Sequence, residues 1–285
     1  MKTSYSTTAA LFHPRPRAGK AARHLLICLL LIFLLYPLAV LLLASFSDGG
    51  VIGSPGGLTL ENYRAGWQGD GGSGFGRYFV NSSLISLASI VGTLLSCSLA
   101  AYTFARIDFP GRRVLFALMI GTLLLPKQVT VVPQYVMFNT LGMVDTYWPL
   151  TITHYFAVDA FYTFLMVQFI RGISPSLDEA ARIDGCGHFG IFFRIIVPLS
   201  FPALATTAAF CFIHSWNDFL GPLLYLNDPG SFTVPLGLRQ FMDSTGNSNT
   251  GGLLAMSVLS LVPLIAFFAV AQRLITEGIS TTGLK

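Results

Sequence analysis

Six stretches of this chain are each long and apolar enough to cross a lipid bilayer: 25–46, 79–105, 114–138, 147–170, 199–225 and 253–270. A transmembrane helix needs about 20 mostly apolar residues. Backbone polar groups inside lipid must be satisfied within the segment, so such runs are read as helices. The pattern predicts an all-α integral membrane protein with six transmembrane helices. Composition agrees: charged residues make up 11%, against about 25% in ordinary soluble chains. So few charges could not cover the surface of a soluble protein of 285 residues.

The positions of Lys and Arg set the orientation. Lys2, Arg15, Arg17, Lys20 and Arg23 precede the first run; Arg106, Arg112 and Arg113 lie between the second and third; Arg171, Arg182 and Arg194 lie between the fourth and fifth; Arg273 and Lys285 follow the sixth. Six crossings put all of these on one side. The opposite loops hold only Arg64, Arg77 and Arg239. Both termini are therefore expected in the cytoplasm. The chain divides into a basic segment 1–24, a six-helix domain 25–276 containing a cytoplasmic loop 171–197, and a tail 277–285. The first run is too long for the ~7–15 residues of a signal-peptide core, and no small-x-small cleavage site follows it, so it is read as an uncleaved anchor.

Several function classes fall away. The net charge of +4 is not gathered into basic clusters interleaved with aromatics, so no nucleic acid is expected. Cys28, Cys97, Cys186 and Cys211 form no CxxC pair and read as small apolar fillers rather than a disulfide framework or zinc site. There is no HExxH or GxSxG. His154, Asp159, His214 and Asp218 are scattered over two runs without ligand spacing, so neither a metal nor an intramembrane enzyme is expected. No G-x-x-x-x-G-K-[ST] loop occurs, and Gly19-Lys20 stands alone. Any ATP must be hydrolysed by a partner. The chain is expected to bind no cofactor of its own.

The loop between the fourth and fifth runs carries the strongest local signal. Ser174 is placed to cap a helix that starts at Pro175, with Asp178 and Glu179 in its first turns. Gly185 and Gly187 end it, where a positive φ costs glycine little. A second helical stretch leads through Pro198 into the fifth run. A short amphipathic helix on a membrane face suits a groove on a soluble partner. The outer loop 47–78 is rich in glycine, although Leu58 to Tyr63 could start a short interfacial helix. The outer loop 227–252 carries Thr233-Val234-Pro235-Leu236.

Glu179-Ala180-Ala181, Gly185, Ile195 and Pro198 resemble the EAA loop of binding-protein-dependent ABC importer permeases: E-A-A, three residues, G, nine residues, I-x-L-P. Val197 stands where that pattern has Leu. Other segments are similar to the carbohydrate-uptake, maltose-type group. These are Leu141 to Trp148, Ser215-Trp216-Asn217-Asp218-Phe219 with Pro222-Leu223, Gln272-Arg273, and the tail from Gly278 to Lys285. The resemblance implies a homologous second permease subunit, two ATP-binding subunits and an external solute-binding protein. It also implies that Glu179, Ala180, Ala181, Asp184 and Gly185 couple the ATPases to the membrane helices. The cargo class it implies is carbohydrate, polyol or glycerol phosphate.

Polar residues within the runs are the candidate translocation path: Lys127, Asp159, Asn217 and Asp218. Lys127 sits about 20 Å into its run at 1.5 Å per residue, a depth at which an uncompensated charge is costly. Two readings stand: Lys127 faces protein or water, with Asp159 as its partner, or it snorkels to the headgroups. Buried charges also suit an ion-coupled secondary transporter, which would not require the EAA spacing.

Overall fold

The computed structural model describes residues 17–52, 57–69, 74–242 and 249–282, and their side chains other than those of 17–22, Gly49, Lys127 and 274–282. The described residues are mostly helical. Among them the only β pairing is a single bridge between Ser47 and Leu58.

Helix α1 (Arg17–Ser45) begins inside the basic segment rather than after it. Asn62 of α2 (Glu61–Gln68) donates to the carbonyls of Ser45 (2.9 Å) and Ser47 (2.7 Å), so the short helix of the glycine-rich loop is tied to the end of α1. Helix α3 (Phe75–Arg106) runs 32 residues without a proline. The third apolar run is not one helix. It divides into α4 (Arg112–Thr122) and α5 (Lys127–Thr140). Pro126 has no amide donor, and its ring disfavours helical geometry at the residue before it, so the helix stops and restarts there. The fourth run is α6 (Trp148–Thr151), a 3-10 turn at Ile152–Phe156, Ala157 at φ +53°, then α7 (Ala160–Gly172).

Beyond it lie α8 (Pro175–Ile183) and α9 (His188–Ile191). The latter continues through a π-helical turn, Phe192–Ile196, into α10 (Val197–Leu199). Helix α11 (Phe201–Trp216) does not extend that line: the chain bends by 76° between His188–Leu199 and Phe201–Trp216. Pro202 explains the bend, because it cannot donate to the carbonyl of Pro198 and its ring would meet it. The fifth run, expected to be helical to Tyr225, breaks after Trp216 and resumes as α12 (Leu220–Tyr225). Helix α13 (Val234–Gln240) sits in the second long loop and α14 (Thr250–Thr282) is last.

Among the described residues four helical segments are long and apolar enough to cross a membrane: Arg23–Ser45, Phe75–Arg106, Trp148–Gly172 and Thr250–Arg273. The bent pair raises the count to five. Helix α3 is the centre of the packing, lying against α7, α11 and the 3-10 turn. It runs through both hydrophobic cores. One is built on Phe75, Tyr78, Phe212, Trp216 and Met256, the other on Tyr102, Met166, Ile170, Phe192 and Ile196. Helix α1 packs mainly on α14 and leaves its apolar side chains exposed, as a lipid-facing helix can.

Candidate functional site

The segment bearing the EAA spacing is a helix followed by a closed turn. Ser174 stands at the N-cap of α8, but its hydroxyl contacts that of Ser176 at 2.8 Å instead of a helix amide, so the expected side-chain cap is not made. The other end is a Schellman turn. The amide of Gly185 donates to Arg182 (3.0 Å) and that of Cys186 to Ala181 (2.9 Å), with Gly185 at φ +83°. This is the physical reason for glycine four residues after Ala181: the backbone there is left-handed, and a Cβ at Gly185 would meet nothing but its own chain. Ala181 is buried and Glu179, Ala180, Asp184 and Gly185 are exposed. Leu177 (43% exposed) and Ile183 (87%) join them on the open side, and Phe189 (75%) extends that apolar surface past the turn.

Helix α8 is fixed to α3 by pairings that the sequence did not reveal. Asp178, on the inner side, stands 3.2 Å from Arg106 Nε, with both side chains almost wholly buried. Arg106 Nη2 donates to the carbonyl of Ile173 (2.6 Å), and Tyr102 Oη lies 3.2 Å from His188 Nδ1.

A second polar feature runs through the helical bundle. Ser82, Ser86, Ser89 and Thr93 of α3 are all buried, and a spacing of three to four residues puts them on one face. The line ends against the broken part of the fourth run. Thr93 Oγ1 lies 3.0 Å from His154 Nδ1 and 3.4 Å from Cys211 Sγ, and Ser96 donates to the His154 carbonyl at 2.7 Å. The carboxylate of Asp159 is 3.9 Å from His154 Nδ1, and its carbonyl accepts from Thr163 at 3.2 Å. Gly92 makes room: a Cβ there would sit 2.7 Å from the Tyr155 ring. Among the described residues the hydroxyls of Ser86, Ser89 and Thr207 are buried without a protein partner. This seam has hydrogen-bonding capacity to spare inside an otherwise apolar bundle. Among the described residues no group of three metal-ligating side chains converges.

Of the four candidate path residues, only Asp159 is placed in this seam. The side chain of Lys127 lies outside the described residues, and with it the expected Lys127–Asp159 pairing. Asn217 and Asp218 make local bonds at the break between α11 and α12. Asn217 Nδ2 donates to the Ile213 carbonyl (2.8 Å), and Asp218 Oδ1 accepts from the Gly221 amide (3.2 Å). A nearby clamp joins the turn after α5 to the end of α12. The Asp145 amide donates to the Tyr225 carbonyl (2.7 Å), and its carboxylate accepts from the amides of Asn227 (2.9 Å) and Asp228 (3.1 Å). Those two donors hold the Asp145 carboxyl below its ordinary pKa. The period-of-three-to-four serines were the signal in the sequence that could have revealed the seam.

The fold and this seam define a multi-pass helical membrane protein with a polar seam in an apolar interior. The family model for the binding-protein-dependent transport system inner membrane component matches residues 92–281. The arabinooligosaccharides transport system permease protein AraQ of Halalkalibacterium halodurans is 35% identical over 263 residues, 88% of this chain and 91% of that protein. The sn-glycerol-3-phosphate transport system permease protein UgpE of Brucella abortus is 34% identical, covering 80% of this chain and 82% of that one. A chain from the crystal structure of a bacterial ABC transporter involved in import of the acidic polysaccharide alginate shares the fold. Its TM-score is 0.80 at 22% identity, over 93% of this chain and 99% of that one. The chain belongs to the family of binding-protein-dependent transport system inner membrane components, the permease subunits of ABC importers.

Proposed function

We propose that this chain, paired with a homologous second permease subunit, forms the path by which a carbohydrate, polyol or glycerol phosphate crosses the cell membrane. Two ATP-binding subunits supply the energy, and an external solute-binding protein delivers the cargo. The chain crosses six times with both termini in the cytoplasm. The division of the run 114–138 leaves two helices of 11 and 14 residues, together long enough for the remaining crossing at 1.5 Å per residue. Helix α8 docks into an ATPase groove with Glu179, Ala180, Asp184 and Gly185 outward. Ala181 packs beneath them against the membrane helices. The polar seam around Thr93, His154 and Asp159 borders the path, and Lys127, Asn217 and Asp218 contribute to it.

The observation that carries the reading is helix α8 itself. The EAA spacing falls on a helix closed by a left-handed glycine, with an exposed face holding Leu177, Glu179, Ala180 and Ile183. The names of the relatives support the cargo class. An ion-coupled carrier would have no use for this loop, and the family match gives that alternative no support.

The test is Gly185→Val. A β-branched residue at a positive φ is strained, and the strain falls outside the bilayer. The variant is expected to insert normally, yet to lose ATPase subunits on purification or to hydrolyse ATP without uptake. Wild-type stoichiometry, ATPase rate and uptake together would overturn the assignment of α8.

A further inference from the structure

Both ends of α3 are held by polar brackets. At one end, Arg106 reaches the Ile173 carbonyl just before α8 and the Asp178 carboxylate inside its first turn. One turn back, Tyr102 meets His188, where α9 starts beyond the Gly185 turn. Residues four apart share a helix face, so one face of α3 grips the α8 hairpin on both sides of its turn. At the far end, Tyr78 Oη donates to Gln240 Oε1 (2.7 Å). Asn81 Nδ2 donates to the carbonyls of Gly230 (3.1 Å) and Phe232 (2.9 Å), and Ser82 Oγ accepts from the Val234 amide (2.8 Å). Those three residues again share a face. The 3-10 turn Pro229–Ser231 and α13 are thereby bonded to α3 as well.

Between the brackets α3 has neither a proline nor a break. Each other apolar span among the described residues has one. Pro37 lies inside α1 and Pro263 inside α14, the fourth run contains a 3-10 turn, and the fifth bends by 76°. Interruptions of the hydrogen-bond ladder are where helices flex. A continuous helix of 32 residues is about 48 Å long and moves as a unit. Contacts from two residues at one end and three at the other transmit rotation as well as translation.

We infer that α3 is the strut that carries movement of the α8 hairpin to the segment 229–241 at the opposite face of the membrane. Tyr102 and Arg106 are its positioning residues at one end and Asn81 at the other. This rests on the reading that α8 is the ATPase dock. In that frame 229–241 is the part of the solute-delivery face that answers the ATPases most directly.

The experiment uses the whole importer, purified through this chain with its partner permease and ATPases and placed in nanodiscs. Amide hydrogen exchange of 175–191 and of 229–241 is followed with and without ATP and vanadate. In the wild type both segments are expected to change on trapping. Tyr102→Phe combined with Arg106→Gln is expected to keep the change at 175–191 and lose it at 229–241. Asn81→Ala, at the other end and far from the ion pair, is expected to give the same split. It keeps the test decisive if the first variant does not assemble. A response at 175–191 with none at 229–241 in the wild type, or a wild-type response at 229–241 in Asn81→Ala, overturns the strut alone. No response at 175–191 in the wild type overturns the docking reading and the strut with it.

Discussion

Arg106 Nε and the Asp178 carboxylate stand 3.2 Å apart, with side chains 7% and 8% exposed. The contact is to Asp178 Oδ2, and among the described residues neither Arg106 Nε nor Asp178 Oδ1 has a hydrogen-bond partner. Arg106 is in the last turn of α3, where a cation favours the helix dipole, and Asp178 is in the first turn of α8, where an anion does. The pair therefore joins two helix ends of opposite partial charge. Its geometry is that of a contact held by the fold around it rather than one optimised for its own strength.

Removing one partner strands a buried charge, which costs about 3–5 kcal/mol where no water can reach it. Arg106→Gln and Asp178→Asn are each expected to lower the thermal midpoint of the purified complex. The double variant, which leaves two neutral groups able to bond each other, should lose less than the sum of the two. Additive losses in that double-mutant cycle would mean that the two residues do not interact.

Gly92 fits where nothing larger does, 2.7 Å from the Tyr155 ring and 3.1 Å from the His154 backbone on adding a Cβ. Gly92→Ala should push the broken part of the fourth run off α3 and separate His154 from Thr93. The expected cost is about 1–3 kcal/mol, with uptake falling further than surface expression. Unchanged uptake at normal expression would show that the seam does not border the path.

Asp145 gives a pH dependence whose sign follows from its surroundings. Its carboxyl is held below the ordinary value by the amides of Asn227 and Asp228. A group depressed on folding stabilises the protein above its unfolded pKa, and that contribution is lost as pH falls through the folded pKa. The window is therefore below about pH 4. Asp145 is exposed, so solvent screening keeps the effect small. In an acid series of thermal midpoints, Asp145→Asn should flatten the fall below that pH and leave the neutral range nearly unchanged. An acid limb identical to wild type would show that the clamp is not made in solution.

Orientation is open to thiol labelling in a variant with Cys28 and Cys186 replaced by Ser. Gln68→Cys and Phe189→Cys both place an exposed thiol on a short helix outside the six apolar runs. An impermeant reagent added to intact cells should label the first and not the second. The reverse pattern would put α8 on the wrong face to meet a cytoplasmic ATPase.

The sequence by itself determined that this is a helical membrane protein. Twenty apolar residues in a row leave the backbone no other way to satisfy its hydrogen bonds in lipid. It also determined where α8 ends, because the left-handed turn at Gly185 is a property of the local backbone and only glycine adopts it freely. Pro126 and Pro202 marked breaks that the apolar runs concealed, since hydropathy counts composition and not ladder continuity. Tertiary structure alone decided the rest. Asp178 reads as an N-terminal acid in any helix, and its partner Arg106 lies on another span that only the fold brings against it. Ser174 reads as a cap and bonds Ser176 instead. Thr93, His154, Asp159 and Cys211 come from three separate runs, and they form one seam because α3, α7 and α11 pack against each other. A polar side chain in an apolar run must find a partner, but the helix supplying that partner is chosen by packing, which no local spacing records.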